Sequence, residues 1–205
     1  VTAPVYRPLF RTNPAPQGLA KKVLQASTAL FPVPSVMVTT ALDGRPNIIT
    51  LAWVGTVCSS PPMLSISMRP ATYSHGLLTR TREFVLNIPG NGLLKVMDTC
   101  GSVSGRDVDK FVLTGLTPVP ASQVQAPLIG ECPVNIECRV QQILNLGLHD
   151  MFVSEILAVH VDEAVLDEKG RVDVAKMAPV AYGGGRYWAV GQCLGEMGFS
   201  RRSQG

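Results

Sequence analysis

Turn-forming residues punctuate this chain at short intervals, and the runs between them are mostly too short and too β-branched for ordinary helices. Val36, Val38 and Thr40 alternate with their neighbours, Asp43-Gly44 is the strongest short hairpin signal, and residues 47–57 are β-rich again, which predicts an antiparallel hairpin. Pro61-Pro62 breaks it. Residues 63–68 read as a third strand with Leu64, Ile66 and Met68 on one face, ended by Pro70. A helix is expected over 73–82, a short strand over 84–88 closed by Pro89-Gly90, and a short helix over 93–100. Residues 101–105 read as a loop, 107–111 as one helical turn and 114–125 as irregular. Two long strands follow, over 134–144 and 151–161, joined across 145–150, and a last β segment over 172–174 precedes a glycine-rich tail. Upstream, 19–29 reads as a helix stopped by Phe31-Pro32-Val33-Pro34. No repeat and no regular βαβ alternation is present, which disfavours a parallel doubly wound sheet and points to a mainly β, antiparallel barrel with a few short helices.

A chain of 205 residues holds one substantial domain. Hydrophobic residues make up 46% and charged residues only 16%, against a usual charged share of about 25%. Much of the surface is therefore apolar or covered by something. The net charge of +3 is scattered without a block of like charges, which argues against nucleic acid as a partner. No apolar run approaches the roughly 18 residues of a membrane helix, and prolines and arginines occupy the first residues instead of a secretory core. A soluble, cytoplasmic protein is expected. Five cysteines, an odd number without a CxxC pair, fit reduced thiols, and three dispersed histidines without HExxH give no metal-site pattern.

Arg69-Pro-Ala-Thr-Tyr-Ser-His75 places an arginine at a strand end and two hydroxyls, Thr72 and Ser74, where a helix begins. Free N–H groups and the positive end of the helix dipole would make that a phosphate cradle. Equally, Thr72 or Ser74 caps the helix and Arg69 stands in solvent. In Asn47-Ile-Ile-Thr-Leu-Ala-Trp53, small residues and Thr50 would let a planar ligand lie against a strand edge, and a packed barrel strand would look the same. The loop Cys100-Gly-Ser-Val-Ser-Gly-Arg-Asp-Val-Asp-Lys-Phe111 serves either a ligand or an ordinary surface turn. It is no nucleophile elbow, since Val103 stands at the central position. His149 lies in the turn between the two long strands. No GxGxxG follows a strand, so a Rossmann nicotinamide site is not expected.

Taken in order, these stretches carry a resemblance over about residues 34–200. They are Asn47 to Trp53, Ser60-Pro-Pro62, Ser67-Met-Arg-Pro-Ala-Thr-Tyr-Ser-His75, Phe84-Val-Leu-Asn-Ile-Pro89, Ser104-Gly-Arg-Asp-Val-Asp-Lys-Phe111, the His149 turn and Gly198-Phe-Ser200. The chain resembles the flavin reductase-like family of FMN-binding split β-barrel proteins, in particular its flavoredoxin-like branch. That resemblance implies a split barrel with Greek-key-like topology over 34–200, preceded by an extension and helix over 1–33 and followed by a tail over 201–205. It implies non-covalent FMN near a homodimer interface. Arg69, Thr72, Tyr73 and Ser74 would hold phosphate and ribityl, and Thr50, Leu51, Ala52 and Trp53 would face the isoalloxazine. Ser67 and Asn87 would lie close by, and Lys110 near the ring or phosphate. His149 matches the family histidine that approaches the nicotinamide of NADH or NADPH.

Two positions depart from the family pattern. Leu148 stands where an acidic residue precedes the histidine, and Ser154 where a glycine precedes the glutamate, which bears on the nicotinamide contact more than on the flavin site. The segment Gly183-Gly-Gly-Arg-Tyr187 matches loosely and is assigned no role. The implied activity is NAD(P)H-dependent flavin reduction, with free flavin or a protein as electron acceptor. The alternative is a flavoredoxin-like electron carrier that does not itself oxidise NAD(P)H.

Overall fold

The structure, a computed structural model, describes residues 21–201. Its strands and helices are, in chain order, β1 (Val33–Pro34), β2 (Val36–Leu42), β3 (Arg45–Leu51), β4 (Val54–Ser59), β5 (Pro62–Met68), α1 (Tyr73–Thr81), β6 (Glu83–Ile88), α2 (Leu94–Ser102), α3 (Lys110–Thr114), β7 (Pro118–Val119), β8 (Leu128–Ile129), β9 (Val134–Asn145), β10 (Asp150–Val161), α4 (Val174–Met177), β11 (Val180–Gly183) and β12 (Arg186–Ala189). Seven strands form one antiparallel sheet in the order β3-β2-β6-β9-β10-β5-β4.

That order fixes the shape. β3 and β4 are the two edges of the sheet, yet only Ala52 and Trp53 separate them in sequence. Three Cα steps reach about 11 Å, so the sheet must curl until its edges nearly meet, leaving a split at Thr50 to Trp53.

The interior of the curl is filled by Val36, Val38, Leu64, Ile66, Met68, Phe84, Leu86, Cys138 and Phe152, with Leu78 entering from α1. On the outer face of β2 and β3, Met37 and Ile48 pack against Met97 and Cys100 of α2 and Phe111 of α3. β2 is thus apolar on both faces, as a strand covered on both sides must be. The β2–β3 turn has Asp43 at φ 51° and Gly44 at φ 74°, the paired positive values of a type I′ hairpin.

Several sequence expectations shift. Residues 21–30 carry no helix and are exposed, while 19–20 lie outside the described residues; a short apolar stripe with no surface to pack against does not sustain a helix. The β-rich run over 47–57 is two strands, cut at the split, and Ser60-Pro61 makes the turn of the β4–β5 hairpin, with Pro62 opening β5. The turn expected over 107–111 starts later because Asp109 Oδ1 accepts the N–H groups of Phe111 and Val112 and so caps α3. Residues 172–174 are not a strand: Val172 makes one bridge to Leu166, and Asp173 caps α4. The glycine-rich tail is the β11–β12 hairpin, turning through Gly184 and Gly185, and it joins β1 in a small sheet. Among the described residues no helix is long and apolar enough to cross a membrane.

Candidate functional site

Two adjoining clefts open beside the split. The larger, of about 440 Å³, is lined by Thr50, Leu51, Ala52, Trp53, Ser67, Arg69 and His149 together with Tyr182 and Tyr187. The other, of about 300 Å³, is lined by Tyr73, Ser74, Arg106 and Lys110 and by the loop from Gly101 to Gly105. Ile49, Thr72, Gly101 and Ser102 line both, so the two are one continuous groove.

Its smaller end is built by α1. Thr72, at the N-cap, accepts the His75 N–H at 3.3 Å and donates to Arg69 O at 2.9 Å. The backbone N–H groups of Tyr73 and Ser74 point out of the first turn, which holds no acidic residue. Buried Ser74 accepts from Asn47 Nδ2 at 2.7 Å, which leaves its own proton free to donate. Gly105 must lack a side chain here, because a Cβ would run into the Asn47 amide that holds Ser74.

Lys110 is buried at the same end, its Nζ 2.6 Å from Cys100 O. Burial pushes its pKa down, partly offset by the Cys100 thiol, so an anion in the groove would favour its charged form. The Arg106 guanidinium lies 5.9 Å from the centre of the Tyr73 ring. Cations, hydroxyls and free N–H groups therefore converge on one small space.

The larger end is aromatic. The His149 ring sits against Trp53, centroids 4.4 Å apart and tilted by 45°. Tyr182 and Tyr187 face each other at 5.6 Å. Burial and the hydrogen bond from Tyr187 OH to Asp98 at 2.9 Å push the Tyr187 pKa up to about 12. Thr50 Oγ1 is committed to Met97 O at 2.5 Å, tying the split to α2.

Eleven positions singled out from sequence thus meet in one groove: Thr50, Leu51, Ala52, Trp53, Ser67, Arg69, Thr72, Tyr73, Ser74, Lys110 and His149. Asn87 does not. It is buried under the sheet, donating to Met37 O, Thr39 Oγ1 and Val85 O and accepting from the Ile129 N–H and Asn135 Nδ2. With its amide fully used, it is part of the architecture. Sequence reading missed Arg106, which stood inside a quoted motif, and Asp98, Tyr182 and Tyr187. The two tyrosines flank the Gly183-Gly-Gly turn, and a hairpin with paired aromatics on one face was the signal available.

The sequence profile of the flavin reductase like domain matches residues 28–191. The chain belongs to the flavin reductase-like family. Among solved structures, flavoredoxin of Desulfovibrio vulgaris (Miyazaki F) superposes with a TM-score of 0.84 at 37% identity, covering 89% of this chain and 100% of that one. Flavoredoxin from Methanosarcina acetivorans gives 0.83 at 32%, covering 90% and 99%. An FMN-binding protein from Thermus thermophilus gives 0.70 at 26%, covering 84% and 94%. Within the flavin reductase-like family this chain has the split barrel and the flavoredoxin likeness that its motifs implied.

Proposed function

We propose that this chain is a homodimeric FMN flavoprotein that oxidises NADH or NADPH and passes the electrons to free flavin or to an acceptor protein. The observation that carries the reading is the polarity of the groove: cations and unpaired donors at one end, aromatic rings and backbone at the other. FMN has the same polarity, a phosphate dianion joined through ribityl to a flat ring. The fit is specific at α1, where the N–H groups of Tyr73 and Ser74, the Ser74 hydroxyl and the Arg106 and Lys110 cations, with Arg69 on the adjoining cleft, are matched by no carboxylate of the first turn. Kinship with proteins named flavoredoxin and FMN-binding protein supports it.

FMN, when bound, would supply the redox chemistry, taking up reducing equivalents from reduced nicotinamide and passing them onward. The residues bind, orient and shield. Thr50 to Trp53 would line the flavin ring, and His149, in contact with Trp53 on the same cleft, would meet an entering nicotinamide. The groove remains open, so a dinucleotide can stack without a Rossmann fold. A second copy would cover the apolar surface around Phe31, Trp188 and Val190, which are exposed and line a cavity of about 730 Å³.

The second reading, a carrier reduced only by a protein partner, is favoured by Leu148, exposed beside His149 where the family pattern has an acid. Purified protein should be yellow or turn yellow with FMN; a colourless protein that takes up none would overturn both readings. Anaerobic mixing then separates them. Bleaching by NADH or NADPH within a turnover supports the reductase, and reduction by dithionite alone supports the carrier.

A further inference from the structure

The two ends of the groove belong to different elements. α1 carries the anion-binding end, and the β9–β10 connection carries His149. Between them runs a side-chain bridge that the proposed function does not use. His75 follows Ser74 in α1, and its Nε2 lies 2.7 Å from Asp150 Oδ2, each side chain only 13% exposed. The other Asp150 oxygen accepts Asn145 Nδ2 at 2.8 Å, and Asn145 Oδ1 accepts the Gly147 N–H at 3.3 Å. Leu146 N–H donates to His149 O at 2.9 Å and closes the turn.

Strand alternation explains why neighbours reach opposite ways. Asp150 and Phe152 face the barrel interior and α1, where the His75 ring meets Phe152 edge-on at 5.3 Å. His149 faces Trp53. Apolar packing does not hold the turn, since Leu146 is 59% and Leu148 68% exposed. Asp150 pairs with Met68 of β5 and Asn145 of β9, and the shielded pair adds a side-chain anchor from this strand end to α1; a hydrogen bond to a carboxylate away from water is stronger than one on an open surface.

We infer that His75 and Asp150 are a positioning pair that fixes the His149 turn to the start of α1, setting the imidazole over the mouth of the groove. The inference rests on the reading of His149 given above. The bridge needs a proton on His75 Nε2, which the imidazolium and one neutral tautomer both carry.

The test uses Trp53 as reporter, with Trp188→Phe removing the other of the two tryptophans. A protonated imidazole in contact quenches indole emission, so with the measurement made at about pH 5, below the ordinary imidazole range, His149→Ala should brighten ligand-free protein. His75→Leu and Asp150→Ala should brighten it nearly as much, and His75→Gln, which keeps a donor near the carboxylate, should stay dim. In FMN-loaded protein, His75→Leu and Asp150→Ala should lower the rate of reduction by nicotinamide about tenfold, the size expected from a misplaced group. FMN affinity should hold within about twofold, and His75→Gln should restore the rate. Asp150→Asn replaces Asp150→Ala if the alanine variant does not fold. Dim emission in the bridge variants alongside a bright His149→Ala overturns the inference, as does unchanged emission in His149→Ala itself. If emission follows the bridge but His149→Ala leaves the reduction rate unchanged, the bridge stands and the role given to His149 falls.

Discussion

Two buried polar clusters in this molecule use the same groups to opposite ends. Glu137, fully buried on β9, accepts the N–H groups of Ser122, Gln123 and Val124, the Ser122 hydroxyl and His160 Nε2. Nothing there is left to bind anything else. At the start of α1 the groups are the same kinds, backbone N–H, a serine hydroxyl and basic side chains, but the first turn holds no carboxylate to consume them, and among the described residues no carboxylate lines this end of the groove. A polar cluster that satisfies itself builds architecture; one that leaves donors over, facing a groove, is a site for an anion.

The largest effect that would sharpen this contrast is on stability. Glu137→Ala leaves three backbone N–H groups without an acceptor and should cost about 3–5 kcal/mol in urea unfolding, while any folded fraction keeps its FMN affinity. A loss of FMN binding at unchanged stability would erase the distinction. Acid should act through the same carboxylate. Burial alone would raise its pKa, but the bonds from Ser122, His160 and Gln123 outweigh that and hold it at about 2. A folded value below the unfolded value of about 4.3 stabilises the protein above pH 4.3, and that stability is lost as pH falls towards 2. The loss should be about 3 kcal/mol, and Glu137→Gln should flatten this part of the pH profile.

Arg69→Ala and Ser74→Ala should show the reverse pattern. Each should weaken FMN binding by about 1.5–3 kcal/mol; Arg69→Ala should leave the urea midpoint nearly unmoved, because Arg69 is exposed, while Ser74→Ala should also cost about 1 kcal/mol of stability, because it takes the acceptor from the buried Asn47 Nδ2. The smallest effect expected is from Gly105→Ala. It would push the Asn47 amide off Ser74, costing FMN affinity about 1 kcal/mol, the value of one neutral hydrogen bond.

Local rules made most strands legible. The Asp43-Gly44 turn, the alternation at Leu64, Ile66 and Met68, and the paired long strands all stand where turn chemistry and period two put them. Arg69 to Ser74 was legible as a strand end followed by a helix start capped by Thr72, because a helix start needs only neighbouring residues. Tyr182 and Tyr187 were not, because they reach the groove through a hairpin that pairs with β1, more than a hundred residues upstream. Asn87 misled for the converse reason: its amide is used up by Met37, Thr39, Val85, Ile129 and Asn135, a set of partners no local pattern announces. The helix expected over 19–29 failed wherever it is described, since an apolar stripe forms a helix only against a surface.

The central claim is that the start of α1 holds the phosphate of FMN, and riboflavin, which lacks only that phosphate, tests it most directly. Fluorescence titration of ligand-free protein should give FMN an affinity at least about a hundredfold above riboflavin, the equivalent of about 2.7 kcal/mol. In Arg69→Ala/Ser74→Ala that ratio should shrink towards one, chiefly through weaker FMN binding. Equal affinities for the two flavins in the unmodified protein would contradict the account.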